Sequence, residues 1–431
     1  MERNDPRYQA YVEILKEELI PAMGCTEPIA LAYAAAKARE VLGVLPDSVQ
    51  LQVSGSIIKN VKSVIVPNTG HLKGMEAAVA AGIIAGSAEK ELEVISEVSE
   101  EKKSAIRDYL QTVPITIEHT EQGHVFDIVV TERCGQDYAR VRIADYHTNI
   151  CRIEKNGTVL YEVPLLDETV QEDARADRSL LNMQDIWDFA ETADLRDVAD
   201  LLERQIRYNN AIAEEGLLGD YGANIGRVLL TTYGNDVSNR AKAKAAAGSD
   251  ARMNGCELPV IINSGSGNQG ITCSVPLIEY AKELHSGKEK LYRALIISNL
   301  VAIHEKTGIG TLSAYCGAVS AGAGAGAGIV YLCGDGYQAA IHTVVNALAI
   351  VSGIVCDGAK ASCAAKISAA VDAAILGHDM AMQGRGFRAG EGLIQDTVEQ
   401  TIASMGYVGR VGMKDTDIEI LNIMIGKTQV C

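Results

Sequence analysis

Large aromatic rings are scarce in this chain: its 431 residues include one Trp and three Phe. The interior must therefore be filled by small and aliphatic residues, and the 41 Gly allow helices to approach closely. Positive charge is also short. Lys and Arg number 39 against 56 Asp and Glu, a formal charge of −17. That balance argues against non-specific nucleic-acid binding, which depends on Lys and Arg neutralising phosphates, and against an anionic membrane surface. No run of 18 strongly apolar residues occurs, and the apolar stretch 317–333 is dominated by Gly and Ala and short for a span. The opening MERNDPRYQAYVEILKEEL has no apolar signal core, so a cytoplasmic protein is expected. The ten Cys of such a chain should be reduced thiols or ligands, not a disulfide framework. HExxH, G-x-S-x-G and Walker A patterns are absent. The histidines do not cluster, and His304 and His342 read as structural residues within helical patterns.

What is present suggests two or three domains in an α+β fold, a mostly helical catalytic domain with an inserted mixed α/β domain carrying antiparallel strands. Residues 7–20 have helical periodicity and stop near Pro21. In AMGCTEPIALAYAAAKAREVLG (22–43), Thr26 suits an N-cap, Glu27 and Pro28 a first turn, and Gly43 the end. Segment 48–70 reads as strands with Gly and Asn turns, and 74–92 as a helix. Segments 114–133 and 137–162 alternate polar and apolar residues, with turn signals at Gly123 and at Asn156-Gly157, and read as antiparallel hairpins. An acidic linker (167–179) follows, and helical patterns dominate to the end. The expected division is 1–45, helices packing on the catalytic domain; 46–170, an inserted α+β domain; and 171–431, the helical catalytic domain. The run AGAGAGAG (321–328) reads as tight helix packing, because apolar segments bracket it.

Three cysteines gather late in the chain, Cys316, Cys356 and Cys363, with spacings C-x39-C and C-x6-C near Gly-rich turns. Thiolates favour iron–sulfur clusters, zinc or copper(I), and three of them without an evident fourth would leave a metal position open for catalysis. Small buried thiols would give the same pattern without any metal. Cys25 sits just before a helix start, where the helix dipole favours thiolate, although Glu27 opposes it. In LPVIINSGSGNQGITCSVPLIEYAKEL (258–284), Gly265, Gly267 and Gly270 satisfy G-x-G-x-x-G. A dinucleotide fold would also need a second strand with an acidic end, and none follows. An anion-binding turn is the better reading: backbone N–H groups and a helix start could hold a carboxylate, with Ser264, Ser266, Asn268 and Gln269 adding polar groups.

Taken together, AMGCTEPIALA (22–32), SGSGNQGI (264–271), LSAYCGA (312–318) and VCDGAKASCAAKI (355–367) resemble the L-cysteine desulfidase family, related to the iron–sulfur L-serine dehydratases. The resemblance runs over essentially the whole chain. It implies that Cys316, Cys356 and Cys363 hold a [4Fe–4S] cluster and that Cys25 is the catalytic base. The reaction implied converts L-cysteine and water to pyruvate, ammonia and hydrogen sulfide. A dehydratase acting on L-serine or another β-substituted amino acid is the nearest alternative, and a non-catalytic iron–sulfur redox sensor is one of another class. The partner expected is a small amino-acid substrate, with no nucleic acid and no membrane; self-association into a homo-oligomer stays open. Lys360, between two of the cysteines, could offset cluster charge, and the terminal Cys431 could enter the site as a tethered ligand.

Overall fold

The computed structural model describes residues 1–120, 124–165, 175–310 and 312–428. Gly123, most of the acidic linker and Cys431 lie outside the described residues. The fold is α+β. Among the described residues, eight strands form two sheets: β1 (Pro21–Met23), β2 (Ser48–Val53), β3 (Ile115–His119), β4 (Asp127–Cys134), β5 (Asp137–Ala144), β6 (Ile150–Lys155), β7 (Thr158–Glu162) and β8 (Pro259–Ile261). Six of them form one sheet in the order β3-β2-β4-β5-β6-β7. β2 and β3 run parallel, and the remaining neighbours antiparallel. The turn joining β6 to β7 has Asn156 and Gly157 at φ 50° and 80°, which is why this dipeptide is a hairpin signal.

Two expectations for this region fail. Segment 114–133 is not a hairpin, because β2 lies between β3 and β4. Residues Gly55–Val61 form a helix rather than a strand. It buries Ile57, Ile58 and Val61, a helical spacing too short to stand out in the sequence. The helix Glu100–Thr112, which leads into β3, was also not expected.

Helix Thr26–Leu42 lies across the inner face of β4 and β5, and helix Met75–Ala85 packs on its other side. That second contact is backbone to backbone: a Cβ on Gly82 would come within 2.1 Å of the Ala32 carbonyl oxygen. Helix Pro6–Glu18 instead reaches the helical body, where Tyr8 and Tyr11 meet Phe189 edge-on at 5.1 and 5.4 Å. The short ribbon β1–β8 ties these regions together, pairing Ala22 with Val260.

The helical body follows the small-residue logic of the composition. The run 321–328 lies inside the buried helix Ala318–Cys333. A Cβ on Gly322 would meet Ala370, one on Gly324 the Ser298 carbonyl oxygen at 2.4 Å, and one on Gly326 Ala374. Ala370 and Ala374 belong to helix Cys363–Met382. No helix among the described residues is long and apolar enough to cross a membrane.

Glu132 lies on the inner face of β4 with Ile128 and Val130, and neither carboxylate oxygen has a hydrogen-bond partner among the described residues. Burial holds its carboxyl well above the usual carboxylate range, with Arg39 acting the other way. A carboxyl raised in the folded state contributes stability below the unfolded value and loses it as pH rises through the folded one. Glu132→Gln should therefore stabilise the protein at neutral pH, by about 1–3 kcal/mol, and the gain should vanish near about pH 4, where both side chains are neutral. Thermal unfolding across that range checks the sign; a loss of stability at pH 7 would contradict it.

Candidate active site

Two extended segments bring the first pair of late cysteines together. The Cys316 N–H donates to the Ile354 carbonyl at 3.0 Å and the Cys356 N–H to the Ala314 carbonyl at 2.7 Å. The two thiols act on each other's ionisation: Cys316 pulls Cys356 down to about 6, helped by Lys59, Lys366 and the Gly358 N–H. Cys356 and burial push Cys316 well up. Cys363 opens the helix Cys363–Met382, and its thiol faces the Gly358 carbonyl at 3.7 Å. Lys360 pairs with Asp357 inside the loop between the two cysteines.

The three Sγ atoms do not all lie within 4.8 Å of one another. Three thiolates on one tetrahedral zinc would sit about 3.8 Å apart, given Zn–S bonds of about 2.3 Å. The three thiols line one cavity and form the donor set that a three-thiolate iron–sulfur cluster would need.

Cys25 faces the same cavity. All four cysteines line it, with Thr26, Glu27, His147, Arg252, Lys306 and the segment Ser264, Gly265, Ser266, Asn268 and Gln269. Its volume is about 110 Å³. Gly267 and Gly270 do not line it. Each lets the turn press against its neighbours: a Cβ on Gly270 would fall 2.0 Å from the Ile261 carbonyl oxygen, and one on Gly267 would strike Arg252. Ser264 and Gly265 adopt left-handed backbone, φ 49° and 75°. Thr26 Oγ1 donates to the Gly265 carbonyl at 2.9 Å, locking the turn to the start of helix Thr26–Leu42.

Cys25, not Thr26, is the N-cap of that helix, and its side chain makes no capping bond. The thiol donates instead to Glu27 Oε2 at 3.0 Å. Burial and the Glu27 carboxylate push the Cys25 thiol well up, and Arg252 opposes them. The lowering expected from the helix start therefore does not prevail: Cys25 rests as a thiol.

Arg252 was not singled out in the sequence. It is 2% exposed. One guanidinium nitrogen donates to Asn268 Oδ1 at 3.1 Å, and Nε has no partner among the described residues. Burial works against its charge, while Cys25, Glu27 and Cys363 favour it. His147 Nε2 and Gln269 Oε1 are likewise buried without partners. Burial keeps His147 neutral-leaning and pushes Lys306 down to about 8. A wider cavity that shares His147, Ser264, Gly265 and Lys306 adjoins this one. The site thus offers a cationic donor, a thiol beside a carboxylate, and three thiols able to hold a metal cluster.

Residues 89–422 match the serine dehydratase alpha chain family. The chain belongs to that family. Its class is that of a serine dehydratase-like iron–sulfur lyase, in keeping with the thiol set. Relatives extend the likeness to the N-terminal segment that carries Cys25. A UPF0597 protein of Desulfitobacterium hafniense strain Y51 is 60% identical, with 99% of both chains covered. UPF0597 proteins of Lachnoclostridium phytofermentans and Treponema denticola are 52% and 46% identical, covering 97% and 99% of this chain and 100% of their own.

Replacing Cys316, Cys356 or Cys363 by Ala should each lower bound iron and acid-labile sulfide after anaerobic purification, whereas Cys25→Ala should leave both at the wild-type level. Full iron content with all three cysteines replaced would remove them as ligands.

Proposed function

We propose that the protein is an L-cysteine desulfidase-type carbon–sulfur lyase, with Cys316, Cys356 and Cys363 holding a [4Fe–4S] cluster and Cys25 acting as base. The observation that carries this reading is the meeting of Cys25, Arg252 and the three other thiols around one small cavity. When bound, a cluster with one iron free of protein thiolate would supply a Lewis acid for the substrate's leaving group.

The chain's own residues account for the rest. The substrate carboxylate is the natural partner of the buried Arg252, whose Nε is unpaired among the described residues. The Ser264–Gln269 turn adds backbone and side-chain groups around it. The α-proton must pass to a base, and Cys25 is positioned for this once its own proton has moved to Glu27, 3.0 Å away. Loss of the α-proton and departure of the β-substituent as hydrosulfide leave 2-aminoacrylate, which tautomerises and hydrolyses to pyruvate and ammonia. The surrounding burial excludes water from Cys25 until the substrate enters.

The family name favours a second reading, in which the leaving group is the hydroxyl of L-serine. Cluster, base and carboxylate anchor are then the same. An anaerobic assay of cysteine, serine and homocysteine, measuring keto acid and released sulfide, separates the two. The desulfidase reading expects sulfide and pyruvate in equal amounts from cysteine and little keto acid from serine; the reverse order would replace it with the dehydratase. Cys25→Ser should lower kcat while keeping iron. Arg252→Met should raise KM about 10- to 150-fold, for the loss of a charge-assisted hydrogen bond worth about 1.5–3 kcal/mol. An unchanged KM would release Arg252 from the substrate.

A further inference from the structure

A second set of donor atoms lies at the far end of the two helices that begin at the cluster cysteines. Among the described residues, Cys333, Asp335 and His378 are the one group of His, Cys, Asp or Glu donors whose ligand atoms all fall within 4.8 Å of one another. The geometry points to a structural divalent-metal site at Cys333, Asp335 and His378, taking zinc or an ion of similar preference.

The donor set fits that class. One thiolate and one carboxylate balance the charge of a divalent ion, and a neutral imidazole completes three of four tetrahedral positions. Bonds of about 2.0–2.3 Å to a tetrahedral zinc place its donors nearly 4 Å apart, so the group could close on an ion through small side-chain adjustments. His378 is buried, and its Nε2 lies 2.8 Å from Asp335 Oδ2. Asp335 gives the independent sign. It occupies the N-cap of helix Gly336–Ile350, where an Asp side chain ordinarily binds the helix N–H groups. Here it makes no capping bond and turns to His378. The intervening Gly334 and the following Gly336, at φ 85° and 80°, form the tight turn that carries Cys333 and Asp335 to the same point.

The position in the fold suggests the role. Helix Ala318–Cys333 follows Cys316 and ends on Cys333; helix Cys363–Met382 starts on Cys363 and carries His378. Gly322 packs on Ala370 and Gly326 on Ala374, one turn apart, and His378 is the next residue in the series 370, 374, 378. At about 1.5 Å per residue, the second site lies roughly 22 Å along the helix from Cys363. An ion there would clamp the open end of a helix pair whose other end holds two of the cluster cysteines. Nothing in this site depends on the lyase reaction.

The test is metal analysis of the full-length, anaerobically purified protein after exposure to zinc and dialysis. About one zinc per chain should remain in addition to iron. Cys333→Ser and His378→Gln should each lose that zinc while retaining iron, and Cys363→Ala should keep it, which separates this site from zinc held by the cluster cysteines. Zinc should raise the unfolding midpoint of the wild type and not that of Cys333→Ser. Absence of retained zinc in the wild type, or equal zinc in wild type and Cys333→Ser, would overturn the site and leave Asp335 and His378 a plain ion pair. Cys333→Ser is a partly exposed, near-isosteric change, so it reports even if His378→Gln does not fold.

Discussion

The site exists because helix backbones touch with almost nothing between them. Ala318–Cys333 lies against Cys363–Met382 through Gly322 and Gly326, and against the neighbouring helix Lys288–Ile309 through Gly324. Side chains elsewhere can repack when a neighbour changes; a carbonyl oxygen 2.4 Å from where a Cβ would stand cannot. The starts of two of these helices carry Cys316 and Cys363, so the spacing of the thiols is inherited from the packing. The scarcity of aromatic residues is the same fact at the level of composition.

Charge inside the cavity depends on mutual compensation. Arg252 and Lys306 are buried close to Glu27 and the thiols. Removing one partner from such a set leaves another charge uncompensated. The Lys59–Asp417 pair extends this pattern, since Lys59 is buried beneath the loop that carries Cys356 and also influences its thiol. Electrostatics here links the late cysteines to residues from the beginning and the end of the chain.

Much of this was legible in local sequence. The Ala-rich helix ends at Gly43 with left-handed backbone, the Asn156-Gly157 turn forms, and the AGAGAGAG run lies inside a packed helix. These features rest on backbone preferences of a few adjacent residues. The pairing of β3 with β2 was not legible, because three α-helices separate those strands and their parallel contact is made by tertiary packing. For the site, the cysteines and the Gly-rich turn carried recognisable patterns. Arg252, His147 and Lys306 carried none: each is an isolated residue whose significance comes from its burial in the folded chain, Arg252 and His147 with a nitrogen left unpaired among the described residues. The protonation of Cys25, which the sequence left open between the helix start and Glu27, was not legible for a related reason. The helix start is local, but burial and the hydrogen bond to Glu27 belong to the folded chain and outweigh it.

That protonation has a consequence for durability. A thiolate, not a thiol, attacks electrophiles. In the proposed reaction the product first formed, 2-aminoacrylate, is itself an electrophilic alkene released within reach of Cys25. A permanently ionised cysteine would be exposed to alkylation by every molecule it made. In that proposed reaction, a folded environment that favours the neutral thiol would keep the proton taken from the substrate on sulfur while the alkene departs. Under the proposed role of Cys25, the hydrogen bond to Glu27 that would delay the base at the start of each cycle would shield it at the end, turning catalytic reluctance into resistance to self-inactivation.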